Sequence, residues 1–591
     1  MTLGNGVTYA GSSVTDTGTP VLPLVDAVGS GLAGADATQV RLCYPGTLDP
    51  AKVSGKIVLC ERGVIGRTDK SRAVQQAGGK GMILYNATPI LYNATPNSLN
   101  ADVHFVPTIH VDDVAGPAIR AYITAAGASA TAAIAKARVT NDAPAPVIAS
   151  FSSRGPSRAT ADQLKPDVSA PGVDVLAAVS PASGGRLFDL LSGTSMSSPH
   201  VAGLGALLTQ KHRDWTPSMI KSSLMTTGYD LVGDNSPFAQ GVGHVRPNSA
   251  ADPGLVFSTA FVDYLGFLCG TGQLNASYCP AIKIDPSDLN LASITIGDLA
   301  GVQTVKRTVK NVGAGVATYT ASVTGLAGVT AEVKPATLIV GPGMTASYTV
   351  TFTRTTAAFR AYTTGNLTWS DGTHSVRSPL VVRPVAIAAP AELKAAGTSG
   401  QLKYSVTAGY TGPFSAQPQG LVPAATTPGT VVDDPANSFV VGGPGIATHT
   451  LTIPTGTAYA RISLFDEFTD GDDDLDLFVY DGAGELVATS EGGTSAEEVN
   501  LVAPAAGIYT VYVHGWQTDG PDANYTLFTW VMGSAGTGNM TVTAPSSVVI
   551  GGKADITVAW SGLTAATKYL GRVVYRDASA QIGSTVIRVD S

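Results

Sequence analysis

The sequence predicts a multidomain protein whose first half is of the α/β class and whose second half consists of all-β sandwiches. At 591 residues the chain is too long for one core, because single hydrophobic cores stop growing at roughly 250 to 300 residues. Up to about residue 290, short apolar runs alternate with segments of helical period. From about Ser293 onward, β-branched residues alternate with polar ones between Gly, Pro and Asp, which is typical of sandwich strands.

Charge and cysteine content narrow the class of protein. With 36 Lys and Arg against 44 Asp and Glu, and no run rich in basic residues, nucleic acid is not an expected partner. No stretch has the roughly 18 consecutive apolar residues of a membrane-spanning helix, so no membrane span is predicted. The close cysteine pairs, Cys43 with Cys60 and Cys269 with Cys279, favour two local disulfides over free buried thiols. They therefore predict a secreted, extracellular protein, although Met1 to Tyr9 carries no export signal.

Residues 19–138 are predicted to form a small α/β unit. The pattern predicts three strands and one helix: Lys56 to Cys60, Gly81 to Tyr85, Phe105 to Val111, and the helix Asp69 to Ala77. Within this unit the heptapeptide ILYNATP occurs twice in succession, at Ile83 to Pro89 and Ile90 to Pro96. We interpret the second copy as a duplicated loop extension.

The segment LLSGTSMSSPHVAGLGALLTQ, from Leu190 to Gln210, places Ser195 where a strand turns into a helix. A hydroxyl there lies in the positive field of the helix, beside backbone N–H groups that are free to bind an oxyanion. This arrangement suits acyl transfer, although local physics alone makes such a serine more often a helix cap. Pro199 either opens the helix after a Ser198 cap or bends its first turn. Gly203 and Gly205 predict close packing of the helix against a sheet.

GTSMSSPHVAG, around Ser195, resembles the serine motif of the subtilisin-like (subtilase) proteases. Two companion motifs precede it in the family's order, ASFSSRGP (Ala149 to Pro156) and LKPDVSAPG (Leu164 to Gly172). The ILYNATP region, Gly55 to Cys60 and Gly241 to Asn248 are similar to plant-type members with an inserted protease-associated domain. The resemblance implies a serine endopeptidase acting on protein or peptide substrates, with Ser195 as nucleophile, its own backbone N–H as one oxyanion donor, and no required cofactor.

The other two members of the triad are not securely present. The family's base is a His in an HGTH-type motif, and none of the 8 histidines is followed by Gly-Thr. We expect His200 and His244 to be structural. Asp16-Thr17-Gly18 has the letters of the family's Asp motif, but no buried apolar strand precedes it, so we expect Asp16 not to be catalytic. Leu3 to Ser13 is similar to the family's link between the catalytic core and the insertion, which follows both residues.

The sequence therefore predicts an N-terminally truncated protease, whose Asp, His and oxyanion-hole Asn lie in a preceding segment. Without a base, Ser195 is a weak nucleophile, and we expect this chain alone to have little activity. One alternative is a catalytically inactive scaffold or binding protein that uses its protease-associated and sandwich domains. Another is a separate chain that supplies Asp and His in trans.

Further motifs define the C-terminal modules. TVKNVG (Thr308 to Gly313) and WSDG (Trp369 to Gly372) resemble the fibronectin-III-like domain of plant-type subtilases. Asp470 to Tyr480 and Gly507 to Val513 resemble the bacterial pre-peptidase C-terminal sandwich. The expected domains are 1–18 (a segment of the catalytic domain), 19–138 (protease-associated), 139–290 (C-terminal half of the catalytic domain, an incomplete parallel sheet with helices), 291–388 (fibronectin-III-like), 389–425 (linker), 426–535 (pre-peptidase-like) and 536–591 (a small or partial Ig-like domain).

An acidic cluster marks the turn before Leu475. Its carboxylates could supply the hard oxygen ligands that Ca²⁺ prefers, with Asp472, Asp474 and Asp476 as the candidate ligands. A solvated acidic turn explains the same pattern equally well.

Overall fold

The computed structural model of the chain describes residues 1–87, 98–140, 144–182, 186–274, 277, 279 and 283–591. Most of the duplicated ILYNATP segment lies outside the described residues. The fold class is as predicted: helices and a mixed sheet lie in the first half, and only strands and one short 3₁₀ turn follow Ile294. Both expected disulfides, Cys43–Cys60 and Cys269–Cys279, are formed.

Residues 1–138, hereafter the α/β unit, surround a six-stranded mixed sheet of order β1-β6-β2-β3-β4-β5. Its elements are β1 (Thr2–Leu3), β2 (Leu22–Asp26), α1 (Ala37–Arg41), α2 (Pro50–Val53), β3 (Ile57–Glu61), α3 (Arg67–Gln76), β4 (Gly81–Tyr85), β5 (Thr108–Val111), α4 (Ala115–Ala126) and β6 (Thr131–Ala133). Strands β2 to β5 are parallel. β3 and β4 are buried along their whole length, because a parallel sheet is covered on both faces.

One boundary of this unit was predicted wrongly. Residues 1–18 were expected to belong to the catalytic domain, but β1 pairs with β6 of the α/β unit. Met1 and Leu3 are 7% and 3% exposed and pack in the same core as Ile57 and Ile83. The first strand lies at the edge of the sheet because the chain enters and leaves the unit side by side.

In the described part of residues 144–290, hereafter the helical region, the regular secondary structure is mainly helical. The helices are α5 (Thr194–Lys211), α6 (Pro217–Thr226), α7 (Pro237–Gln240), α8 (Pro247–Ala250) and α9 (Phe261–Gly270), and the strands are β7 (Val175–Ala178), β8 (Phe188–Leu191) and β9 (Leu255–Phe257). β7 and β8 form an antiparallel pair, and β9 joins the sandwich that follows. The incomplete parallel sheet expected here is not formed among the described residues, because no neighbouring strand is available on which to build it.

The next unit, the first sandwich, packs a five-stranded sheet, β10-β17-β16-β12-β14, on a four-stranded one, β13-β15-β11-β9. Its strands are β10 (Ile294–Leu299), β11 (Val302–Asn311), β12 (Ala317–Gly325), β13 (Val329–Lys334), β14 (Thr337–Val340), β15 (Thr345–Arg354), β16 (Thr363–Ser370) and β17 (Ser375–Pro384). Trp369 and Tyr348 fill the core, edge to face at 5.0 Å, the geometry that aromatic pairs prefer.

Two sandwiches complete the chain. In chain order their strands are β18 (Ile387–Ala388), β19 (Glu392–Ala396), β20 (Gly400–Ala408), β21 (Gly412–Pro413), β22 (Ser415–Pro423), β23 (Ala425–Val432), β24 (Ile446–Ile453), β25 (Thr457–Ser463), β26 (Asp474–Tyr480), β27 (Leu486–Ser490), β28 (Glu498–Val502), β29 (Gly507–Gln517), β30 (Asp522–Gly533), β31 (Met540–Thr543), β32 (Ser547–Val548), β33 (Lys553–Trp560), β34 (Lys568–Arg576) and β35 (Gln581–Asp590). β23 to β30 form one of them, hereafter the inserted sandwich.

The other one, hereafter the outer sandwich, is discontinuous in sequence. Its sheets are β18-β20-β33-β31 and β19-β35-β34-β22, so each sheet combines strands from before and after the inserted sandwich. The expected linker at 389–425 is therefore wrong: these residues form strands, and 536–591 supplies their partners rather than a separate domain. The strands before the inserted sandwich have edges that pair only with strands after it, and the reverse also holds.

Candidate functional site

Ser195 is the second residue of α5, the helix that follows β8 in the chain. Gly193, in extended conformation, precedes the helix, and its N–H donates to Gly172 O at 2.8 Å. The helix begins at Thr194, so Ser198 is not its cap and Pro199 lies inside its first turns. The first four N–H groups of a helix have no intrahelical partner, and the N–H of Ser195 is one of them.

The Ser195 side chain is exposed, and its hydroxyl has no hydrogen-bond partner in the described part of the chain. It therefore does not cap the helix. The two nearby motif histidines bond elsewhere: His200 Nδ1 donates to Met196 O at 2.9 Å, and His244 Nδ1 donates to Val245 O at 3.0 Å. Asp16 is exposed in a bend rather than at the end of a strand. None of these three residues is placed as a triad partner of Ser195.

The helix that carries Ser195 leaves most of its apolar surface uncovered. Of its 18 residues only Leu208 is buried, and Leu207 is 62% exposed. A Cβ added at Gly203 or Gly205 would meet nothing within 4 Å, so the close packing predicted from these glycines is absent among the described residues. The expected partner of that face is a sheet, and the residues that the structure describes place no sheet there.

The β7–β8 pair also leaves apolar side chains exposed. Leu176 and Phe188 are 66% and 63% exposed. A cavity of about 700 Å³ lies between α5 and the extended segment at Val147, with Ser197 and Val201 on its helix side. Clustered exposed apolar side chains of this kind are typical of surfaces that bind another molecule.

The acidic turn does not form a recognisable metal centre. Within the described ranges, no group of three or more His, Cys, Asp or Glu is arranged to hold a metal ion. Asp472 is exposed, Asp474 is half-buried, and Asp476 is buried against His514, whose Nδ1 lies 3.4 Å from Asp476 Oδ2. Burial raises the pKa of Asp476 to about 6. Two carboxylate oxygens in the turn, Asp473 Oδ2 and Asp474 Oδ1, are buried without a hydrogen-bond partner.

The sequence-based list of candidates missed the residues that surround Asp476. His514 faces Asp476 across the β26–β29 ladder, and its Nε2 lies 3.0 Å from Asp434 Oδ2. His514 and Asp434 are 0% and 1% exposed. The period-2 alternation of β29 places His514 on the face opposite the core residues Val511 and Val513, and this signal was available in the sequence.

Comparison with protein families gives three matches. Residues 69–243 match the subtilase family, residues 288–382 match a fibronectin type-III domain, and residues 446–515 match the bacterial pre-peptidase C-terminal domain. The structure agrees with the two β matches, since the second covers most of the first sandwich and the third falls within the inserted one. No helix in the described residues is long and apolar enough to cross a membrane.

The curated relatives include plant subtilisin-like proteases. Subtilisin-like protease SBT5.3 of Arabidopsis thaliana is 39% identical over 420 residues, which are 65% of this chain and 53% of the relative. Subtilisin-like protease SBT1.7 of the same plant is 39% identical over 416 residues, 64% of this chain and 54% of the relative. The chain thus spans about half the length of the curated relatives it matches. A solved structure of tripeptidyl peptidase 2 covers 72% of this chain and 50% of its own at 12% identity, with a TM-score of 0.23, too low to bear on the fold.

Proposed function

Because residues 69–243 match the subtilase family, we propose that the chain is the nucleophile-bearing part of a subtilisin-like serine endopeptidase, with Ser195 as the nucleophile. The observation that carries the proposal is the position of Ser195, exposed at the N-terminus of α5 and free of any structural hydrogen bond among the described residues. A serine that only stabilised the helix would cap it, and this one does not.

The geometry supports acyl transfer to a serine hydroxyl. Ser195 Oγ attacks the scissile carbonyl carbon, and its proton passes to a base. The C–N bond then breaks as that proton reaches the leaving amine, and water hydrolyses the resulting ester. The Ser195 N–H, at the start of α5, would be one donor to the developing oxyanion, and such a donor is worth about 2.7 to 4 kcal/mol in proteases of this mechanism.

We further propose that the base and its orienting acid are contributed by a segment outside these 591 residues. The uncovered apolar face of α5, at Leu207, and of the β7–β8 pair, at Leu176 and Phe188, supports this placement. A segment that covered this face would bring its own side chains close to Ser195, and it would also bury surface that is costly to leave in water.

A fluorophosphonate probe, which reacts with activated serines, tests both parts of the proposal. We expect little labelling of the 591-residue chain and rapid labelling of an extended protein, which is the chain expressed with whatever coding sequence precedes Met1. Ser195→Ala is the control and should abolish the signal. Labelling of the short chain would contradict the outside base, and an unlabelled extended protein would contradict the assignment of Ser195 and favour a non-catalytic binding role.

Two of the expectations are part of the same proposal. The disulfides Cys43–Cys60 and Cys269–Cys279 support action outside the cell, with the α/β unit as a protease-associated domain.

The unpartnered oxygens of Asp473 and Asp474 support a structural Ca²⁺ at the acidic turn, held by few carboxylates together with carbonyls or water. Calcium added after EDTA treatment should then raise the melting temperature, and Asp473→Asn should remove the effect; an unchanged melting temperature would contradict the calcium site.

A further inference from the structure

A loop of the α/β unit reaches the strand pair that leads to Ser195. The loop, residues 98–105, is hereafter called the bridge loop. The N–H of Ala101 donates to Asp174 Oδ1 at 3.0 Å. The Arg186 guanidinium donates to Val103 O and lies 4.2 Å from the ring centroid of Phe105. The bridge loop therefore contacts the β7–β8 pair at two points: the carboxylate of Asp174, just before β7, and the guanidinium of Arg186, just before β8.

Asp174 also forms hydrogen bonds with Ser192, the first residue of the segment 192–195, hereafter the nucleophile turn. The N–H of Asp174 donates to Ser192 Oγ at 2.8 Å, and that hydroxyl donates to Asp174 Oδ1 at 3.1 Å. One carboxylate oxygen thus accepts from both the bridge loop and Ser192. Ser192 is followed directly by Gly193, whose N–H bonds Gly172 O, and then by Thr194 and Ser195.

The backbone at Asp174 has an uncommon conformation. Its φ of 49° lies in the left-handed region, which Asp and Asn tolerate better than other residues with a side chain because they bond locally to the backbone. The side chain of Asp174 therefore has two roles. It supports the left-handed backbone conformation, and it connects the α/β unit to the segment that carries Ser195.

The bridge loop is itself firmly held on the α/β unit. Arg67 binds Asp102 through two hydrogen bonds, of 2.5 and 2.8 Å, and the N–H of Asn100 donates to His110 Nδ1 at 3.0 Å. Asp102 and His110 are 5% and 0% exposed. Bidentate, charge-assisted bonds of this kind fix geometry as well as stabilise. The loop consequently presents the Ala101 N–H to Asp174 from a rigid support.

We propose that Asp174 is a positioning residue for Ser195, through which the bridge loop of the α/β unit holds the nucleophile turn in place. This inference rests on the proposed function, because positioning matters only if Ser195 reacts. Displacing a reacting group by about 1 Å can cost about a hundredfold in rate. A loop that limits the motion of residues 192–195 therefore has a direct effect on a reaction at Ser195, although it does not touch the substrate.

Hydrogen–deuterium exchange on the 591-residue chain tests the bridge without requiring activity. In Asp174→Ala and Asp174→Gly, we expect exchange in residues 188–196 to be about tenfold faster, since losing charge-assisted hydrogen bonds shifts a local opening equilibrium by about that factor. Ala disfavours the left-handed backbone and Gly permits it, so agreement between the two variants assigns the effect to the carboxylate. Asp174→Asn keeps an accepting Oδ1 and should restore slow exchange.

Two further variants separate the bridge from general loosening. Asp214→Ala removes an exposed carboxylate with no partner among the described residues and should leave exchange in 188–196 unchanged. Arg67→Gln loosens the bridge loop from the side of the α/β unit and should speed exchange in 188–196. Combined with Asp174→Gly it should add nothing more, because both changes break the same connection. Additive effects would overturn the bridge.

Labelling of the extended protein then tests the consequence for Ser195. We expect Asp174→Gly to lower the maximal rate of fluorophosphonate labelling at least tenfold with an unchanged half-saturating probe concentration, and Asp174→Asn to recover it. Unchanged exchange, or faster exchange with unchanged labelling, would overturn the inference. If the wild-type extended protein is not labelled, the proposed function fails while the exchange results still decide whether the bridge exists.

Discussion

His374 connects the first sandwich to the helical region through its ring. Its Nδ1 lies 2.8 Å from Asp371 Oδ2, and its Nε2 lies 3.4 Å from Asp252 Oδ1. The hydrogen bond to Asp371 raises the pKa of His374, and that to Asp252 adds to the effect. Burial opposes ionisation of Asp371, but the hydrogen bonds from His374 outweigh it and lower the pKa of Asp371 to about 2. Protonated His374 therefore stabilises the junction between Asp252 and Asp371.

This contact predicts a pH-dependent stability. A histidine whose pKa is raised on folding contributes its full stabilisation below the unfolded pKa of about 6.5, and loses it as the pH rises through the folded pKa. In His374→Gln we expect the melting temperature of the first sandwich to be lower by about 2 to 4 °C at pH 5.5 and nearly unchanged at pH 8.5. Calorimetry of both proteins across this range measures the difference. Asp252→Asn should show part of the same effect, and parallel curves for wild type and His374→Gln would contradict it.

The sequence identified residues that act through a local motif and missed those that act across the fold. Ser195 was identified because its neighbours from Gly193 to Gly203 form one continuous pattern. Asp174 was not, because its partner Ala101 lies 73 positions away in the chain. A hydrogen bond between a backbone N–H and a carboxylate leaves no mark on the composition of either segment, so only the folded arrangement shows it.

At the scale of elements, prediction succeeded where burial is uniform. β3 and β4 were found as short apolar runs because both of their faces are covered. The start of α5 was left open between a Ser198 cap followed by Pro199 and an earlier start with Pro199 in the helix, because proline is favoured in a first turn; the structure has the earlier start, at Thr194. The glycines of α5 were taken to indicate packing, but they indicate only that a backbone could approach closely. Whether anything approaches depends on elements that the pattern of one helix does not specify.

At the scale of the whole molecule, the discontinuous outer sandwich is what the sequence could not reveal. β20 pairs with β33, and β22 pairs with β34, while the whole inserted sandwich lies between them in the chain. The two strands that flank the insertion end close together: Gly420 forms a bridge with Gly536, and the Leu421 N–H donates to Asn539 Oδ1 at 2.9 Å. An insertion between adjacent chain ends leaves the host fold intact, and it separates the host's two halves in the sequence.

This arrangement predicts opposite outcomes for two truncations. Deleting residues 536–591 removes the partners of β19, β20 and β22, and exposes the core residues Val406, Phe414 and Leu421. We therefore expect residues 387–423 to become sensitive to limited proteolysis, read by mass spectrometry, with the first sandwich still protected. The matched control excises residues 425–533 and joins the two ends by a short Gly-Ser linker; it should stay protected, because the joined ends already lie side by side. Protection of 387–423 in the first variant would mean that these residues fold without 536–591, and the discontinuous sandwich would then be wrong.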